Sequence, residues 1–201
     1  SPDGAHVAVS NTNSHTVGML ARNGITGELV PVTGSPFAVT LSPQGVTFSP
    51  DGAHLFAVNN NNSGVTVFSR NAITGFLTPV AGSPFATGVA SPVGISVSSD
   101  GVHVAVPNAS GNSVSVFSRN ATTGFLTLVA GSPFACATEC RSACFSLDGK
   151  NLYVANAGAN SISVFSRNET TGFMTPISGS PFTCAGRPES IKVSPNGNFV
   201  V

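Results

Sequence analysis

Five charged residues stand out as candidates for chemistry: Glu139, Arg141, Arg187, Glu189 and Lys192. The chain carries eight Lys or Arg and eight Asp or Glu side chains, and half of these recur in register along it. The five do not; they gather in two short connecting segments and just beyond. Arg141 and Glu189 occupy matching positions in adjacent units. Two guanidinium groups beside two carboxylates suit a small anionic or sugar-like ligand, because forked donors grip oxyanions and carboxylates accept from hydroxyls. Glu139 and Glu189 are the acid–base candidates, and Arg141, Arg187 and Lys192 the ligand-binding candidates. The same residue types also build a structural salt-bridge cluster between units, which is the reading they favour. A protein partner is the remaining option.

The cysteines fall in the same region. Cys136, Cys140 and Cys144 are spaced by four residues, and Cys184 repeats the register of Cys136 one unit later. This is not the spacing of paired zinc ligands and no His is near, so no metal and no cofactor are expected. A disulfide needs Cα atoms within about 7 Å, which equivalent points on neighbouring units rarely meet. Cys140 is therefore expected to pair with Cys136 or Cys184, with free thiols as the alternative, and Cys144 is expected as a small core residue. A disulfide implies an extracellular or periplasmic protein; free thiols leave a cytoplasmic one open.

The other polar residues are repetitive. His6, His54 and His103 each follow an Asp-Gly turn, and only His15 lies elsewhere. Asp3, Asp51, Asp100 and Asp148 recur, as do Arg22, Arg70, Arg119 and Arg167. These charges are expected to pair or solvate at one end of the units, at about 0–1 kcal/mol per pair. A nucleophile elbow, a phosphate-cradling glycine loop and a His-rich metal motif are all missing. The formal net charge is zero with only 8% charged residues, which argues against a nucleic-acid partner. No apolar run approaches the roughly 18 residues of a membrane-spanning helix. With 41% hydrophobic residues and 14 Phe, the chain builds a core rather than remaining disordered.

The elements that must carry these residues follow from an internal repeat. Gly-Ser-Pro-Phe begins at Gly34, Gly82, Gly131 and Gly179, and Ser-Pro-Asp-Gly or a near variant begins at Ser1, Ser49, Ser98, Ser146 and Ser194. The units are 1–48, 49–97, 98–145 and 146–193, with a fifth starting at 194–201. Each repeat reads as four short strands; for the one built around the second unit these are 45–48, just ahead of it, and 54–58, 64–69 and 76–80. Ser49-Pro50-Asp51-Gly52 suits a type I turn between the first two. Pro31, Pro79 and Pro176 lie in the fourth strand, which therefore forms the sheet edge, since Pro cannot donate to a ladder. Four-stranded antiparallel units of roughly 48 residues match propeller blades. The expectation is an all-β fold, 1–201 being part of a single β-propeller whose last residue, Val201, falls in a second strand. A β-sandwich does not explain the constant register, and a closed four-bladed ring is the less favoured arrangement. Phe37, Phe85, Phe134 and Phe182 are expected to bury their rings between blades. Exposed flanks of the end blades would favour self-association.

Leu152-Tyr153-Val154-Ala155-Asn156, followed by Asn160-Ser161-Ile162-Ser163-Val164-Phe165, resembles the YVTN-type propeller repeat. Ala121-Thr122-Thr123-Gly124-Phe125-Leu126-Thr127 with Gly131-Ser132-Pro133-Phe134 resembles blades of the lactonase-like propeller family, which includes 6-phosphogluconolactonases. The resemblance covers the whole chain and rests on blade motifs. It implies seven blades, of which about four are present. Near-identical blades, few charges and no unrepeated catalytic group favour a non-catalytic binding scaffold. The resemblance implies the alternative of a lactone hydrolase, in which Arg141 or Arg187 would polarise the carbonyl and Glu139 or Glu189 would activate water.

Overall fold

Each Ser-Pro-Asp-Gly segment turns through hydrogen bonds that its own residues supply. In the computed structural model, which describes residues 1–200, Gly52 adopts φ +68° and its N–H donates to the Ser49 carbonyl at 2.9 Å. Asp51 accepts from the Ala53 N–H at 3.0 Å, and Ser49 Oγ accepts from the His54 N–H at 3.0 Å. The strands that these turns join form four antiparallel sheets. The first holds β1 (His6–Asn11), β2 (Thr16–Arg22), β3 (Leu29–Pro31) and β4 (Phe37–Ala38). The second holds β5 (Pro43–Phe48), β6 (His54–Asn59), β7 (Gly64–Arg70), β8 (Leu77–Pro79) and β9 (Phe85–Ala86). The third holds β10 (Ser96–Val97), β11 (His103–Asn108), β12 (Ser113–Arg119), β13 (Leu126–Leu128) and β14 (Phe134–Ala135). The fourth holds β15 (Cys140–Phe145), β16 (Asn151–Asn156), β17 (Ser161–Arg167), β18 (Met174–Pro176) and β19 (Phe182–Thr183). Successive inner strands lie side by side, as the bond from Phe145 N–H to Ser96 Oγ shows at 3.4 Å. The molecule is a partial β-propeller with β5, β10 and β15 innermost. The strand-forming segment 191–193 lies beside β15, with Ile191 N–H donating to Ser142 Oγ at 3.3 Å. It does not complete the first sheet, so the four-bladed ring does not close. Val201 lies outside the described residues.

The edge strand departs from the single segment expected. β8 and β9 both pair with β7, at Phe68↔Pro79 and Val65↔Phe85, and Gly82-Ser83-Pro84 lies in the gap between them. Within the gap, Ser83 Oγ accepts the Val67 N–H at 2.8 Å; Ser35, Ser132 and Ser180 do the same for Met19, Val116 and Val164. The serine thus replaces a ladder carbonyl, and the Ser-Pro peptide is cis in all four copies.

Alternation within the second strands builds the core. Leu55 and Ala57 face the first sheet, while Phe56 and Val58 face the third. Burial on both faces explains why these strands lack polar alternation. Phe85 and Phe134 are buried and meet Phe125 and Phe173 of the next blade edge-on, with ring centroids 4.8 and 5.2 Å apart. Phe37 is half-buried against Phe76. Phe182 is 45% exposed, contrary to expectation, because no described blade covers it.

The repeated charges also behave differently from surface pairs. Arg70, Arg119 and Arg167 reach back to the preceding blade and bond Asp3, Asp51 and Asp100. Each also touches Nδ1 of His6, His54 or His103 at 2.9 Å. The arginine side chains are 1–2% exposed and the aspartates 37–45%. Partial burial works against the Asp51 charge, but bonds from Ser49 and Arg119 hold its pKa down to about 2. Burial lowers the pKa of each of the three imidazoles, and the adjacent guanidinium lowers it further. Each is therefore neutral, with Nδ1 accepting from the arginine. The imidazole lies against a turn glycine of the next blade: at Gly124 (φ +76°) an added Cβ would collide with His54. Asn151 takes the histidine position in the fourth sheet.

Candidate functional site

The end of the blades opposite the clamps carries five of the eight unrepeated charges. There the linkers from the outer edge enter the first strands, beside the loops between second and third strands. Asn156 opposes Cys140 and Ala155 opposes Ser142, so Arg141 is the extra residue of a β-bulge at the start of β15. Bulges re-aim side chains, and this one releases Arg141 from the pleat toward the linker loops. Its backbone carbonyl passes so close to Gly94, two residues before β10, that a Cβ there would sit 3.0 Å from the oxygen.

Glu139 is held from two sides. Its N–H donates to Asn112 Oδ1 at 2.9 Å and its carbonyl accepts from Ala157 N–H at 2.9 Å. It adopts φ +57°, the backbone that Ser42 and Ser91 also take at the corresponding positions. Gly158 packs against its carboxylate, where a side chain would crowd Oε2. Neither Asn112 nor Gly158 was a candidate from sequence. Both lie in ordinary-looking polar turns, and only the approach of the linker gives them a role.

Four of the five predicted residues meet in a closed ring. Arg187 Nη1 lies 2.9 Å from Glu139 Oε2, and Arg187 Nε lies 2.7 Å from Glu189 Oε1. Arg141 Nη2 lies 3.2 Å from Glu139 Oε1, while its Nε approaches Glu189 Oε2 only to 3.9 Å. Charge signs alternate around the ring because adjacent units carry them in opposite order: Glu139 and Arg141 in one linker, Arg187 and Glu189 in the next. Hydrogen bonds from Arg187 and then Arg141 lower the Glu139 pKa. Bonds to Glu189 and Glu139 raise that of Arg187. Lys192 is not brought into the ring; it is exposed beyond the buried Ile191.

The disulfide joins Cys136 and Cys140, whose Cα atoms are 6.9 Å apart, so it closes the loop that carries Glu139. Cys184 is a free thiol, with Pro188 where a partner equivalent to Cys140 would stand. Cys144 is also free and only half-buried, so it is not the core residue expected. No group of three or more His, Cys, Asp or Glu among the described residues forms a metal centre. A cavity of about 640 Å³ at the clamp end, lined by Val80, Arg119, Asn120, Thr123 and Phe125, holds no carboxylate or imidazole.

The model of a family described as lactonase, 7-bladed beta-propeller, matches residues 1–91, 46–142 and 142–201. The chain belongs to this lactonase family. Among solved structures, candidate 6-phosphogluconolactonases from Bacteroides uniformis and Bacteroides fragilis superpose on the lactonase-family chain with TM-scores of 0.83 and 0.82 at 20% and 23% identity. They cover 94% and 96% of this chain, which in turn covers 54% and 55% of them. The periplasmic gluconolactonase of Pseudomonas aeruginosa gives a TM-score of 0.78 at 20% identity, with 93% of this chain and 53% of that one covered. At these identities the likeness is one of fold, and the chain spans about half the length of these proteins. No curated protein matches the chain. No helix among the described residues is long and apolar enough to cross a membrane.

Proposed function

We propose that the protein of which this chain forms blades hydrolyses a sugar lactone at the linker face, with the Glu139–Arg141–Glu189–Arg187 ring forming part of the site. The observation that carries this reading is the ring itself, set in a lactonase-family propeller. Lactone opening needs a cation where the carbonyl oxygen gains charge and a base for the attacking water. The two carboxylates divide by environment. Glu139 is engaged by both arginines and its lowered pKa makes it a poor base, so it positions the guanidinium groups. Glu189 has one oxygen on Arg187 and the other 3.9 Å from Arg141, and its side chain is 57% exposed. That second oxygen takes a proton from water; Arg141 stabilises the oxyanion as water attacks. The proton then passes to the ring oxygen as the acyl–oxygen bond breaks, giving the hydroxy acid. The disulfide supports an extracellular or periplasmic location.

The mutual pairing of all four charges favours a second reading, in which the ring is an inter-blade clasp on a binding scaffold. Acid release by the full-length protein from glucono-δ-lactone and 6-phosphogluconolactone separates the two. For a hydrolase, Glu189→Gln lowers kcat by about 10²-fold or more while the melting temperature holds. Rates no higher than the spontaneous ones for both lactones would leave the scaffold reading.

A further inference from the structure

We infer that the ion-pair ring selects uncharged polyol lactones and discriminates against phosphorylated ones. This inference deepens the hydrolase reading and rests on it for the identity of the site. The argument is one of charge and of donors already committed. The ring holds two guanidinium groups and two carboxylates, so it carries no net charge to attract an anion. Arg187 spends Nε on Glu189 and both Nη atoms on Glu139. A phosphate binds arginine through the same parallel donors, so it would have to displace a carboxylate already 2.7–2.9 Å from the guanidinium. The displaced carboxylate would then face a group bearing about −1.5 to −2 charge.

A neutral polyol has the opposite fit. Its hydroxyls donate to Glu139 and Glu189 and accept from Arg141, whose Nη2 bonds Glu139 and whose Nη1 makes no hydrogen bond among the described residues, the Nε being buried. None of the existing ion pairs must break. Lys192 forms no ion pair with Glu139 or Glu189 among the described residues, so the ring's charge balance owes nothing to it. The corresponding linker positions of the earlier blades are uncharged: Ser42 with Gln44, and Ser91 with Val93. These donate and accept hydrogen bonds or present apolar surface, which again suits hydroxyls and ring carbons.

The test uses the full-length protein with glucono-δ-lactone and 6-phosphogluconolactone, and with gluconolactam and its 6-phosphate as non-hydrolysable probes in calorimetry. The expected result is a kcat/KM at least about tenfold higher for the unphosphorylated lactone, and tighter binding of the unphosphorylated lactam. Glu139→Gln, which removes one repelling charge, is expected to move the ratio toward the phosphorylated ligand by about tenfold, as befits a like-charge contact. Equal or better use of the phosphorylated lactone overturns the inference, and loss of that preference in Lys192→Ala would identify the cation responsible. Lactam binding without turnover of either lactone would retire the hydrolase reading and leave the selection standing. Failure of both lactams to bind would retire the selection.

Discussion

Replacing Asp51 with Asn and Arg119 with Ala, singly and together, measures whether the inter-blade clamps stabilise the fold. The Arg119 side chain is 1% exposed and its Nη2 lies 2.6 Å from Asp51 Oδ2, while the Asp51 side chain is 45% exposed. Charges about 4 Å apart interact by roughly 4 kcal/mol at an effective dielectric near 20, and by about 1 kcal/mol in bulk water. A pair with one buried and one half-exposed member falls between those limits, and solvent reaching Asp51 pulls the value down. The expected coupling energy is about 2 kcal/mol, within the range of hydrogen bonds to charged groups. Asp51→Asn keeps a side-chain acceptor for Ala53 N–H, so the cycle isolates the charge. For a protein of this size, each kcal/mol corresponds to roughly 2–4 °C in melting temperature. Urea denaturation of the four variants, at low salt and again at 1 M salt, is the assay; the coupling is expected to survive the added salt because the pair is partly shielded from it. A coupling below about 0.3 kcal/mol that vanishes with salt would make the clamp an ordinary surface pair and refute the reasoning.

The clamps also make stability pH-dependent. His6, His54 and His103 have lowered pKa values in the fold. Below about pH 6.5 the unfolded chain binds protons that the folded chain refuses, so stability falls as pH drops through that value. Denaturation midpoints that stay level between about pH 7.5 and 5.5 would contradict the neutral-imidazole assignment. A second fall is expected at lower pH, as the aspartates, Asp51 with its pKa of about 2 among them, begin to take up protons in the unfolded chain near their ordinary value. Phe134→Ala removes a buried ring and is expected to cost about 3–5 kcal/mol, whereas Ile73→Ala, at a side chain 92% exposed, should leave the denaturation midpoint unchanged. Similar losses for the two would undo the account of inter-blade packing.

Repetition made the architecture legible before any coordinates. A period of roughly 48 residues, prolines recurring in the fourth strand and turn residues at fixed offsets specify antiparallel blades, because turns and ladders are local and their rules depend on sequence neighbours. The split of the edge strand escaped that reading. Whether Ser83 ends a strand or patches a ladder depends on where its hydroxyl lands relative to Val67, a contact made across the sheet. Five of the eight unrepeated charges also stood out, gathered in two linkers and just beyond once the repeat was subtracted.

What the tertiary structure alone decided was pairing between units. Sequence register placed each Asp and Arg at the same end of every blade, and only the packing of one sheet against the next showed Arg119 reaching back to Asp51 of the preceding blade rather than into solvent. The same packing joined Glu139 to Arg187 across a linker, left Lys192 outside, and assigned the disulfide to Cys136 and Cys140 instead of Cys184. Charge and thiol chemistry are set by residue type, but their partners are set by distance, and distances between residues some 48 positions apart come into being only when the blades stack.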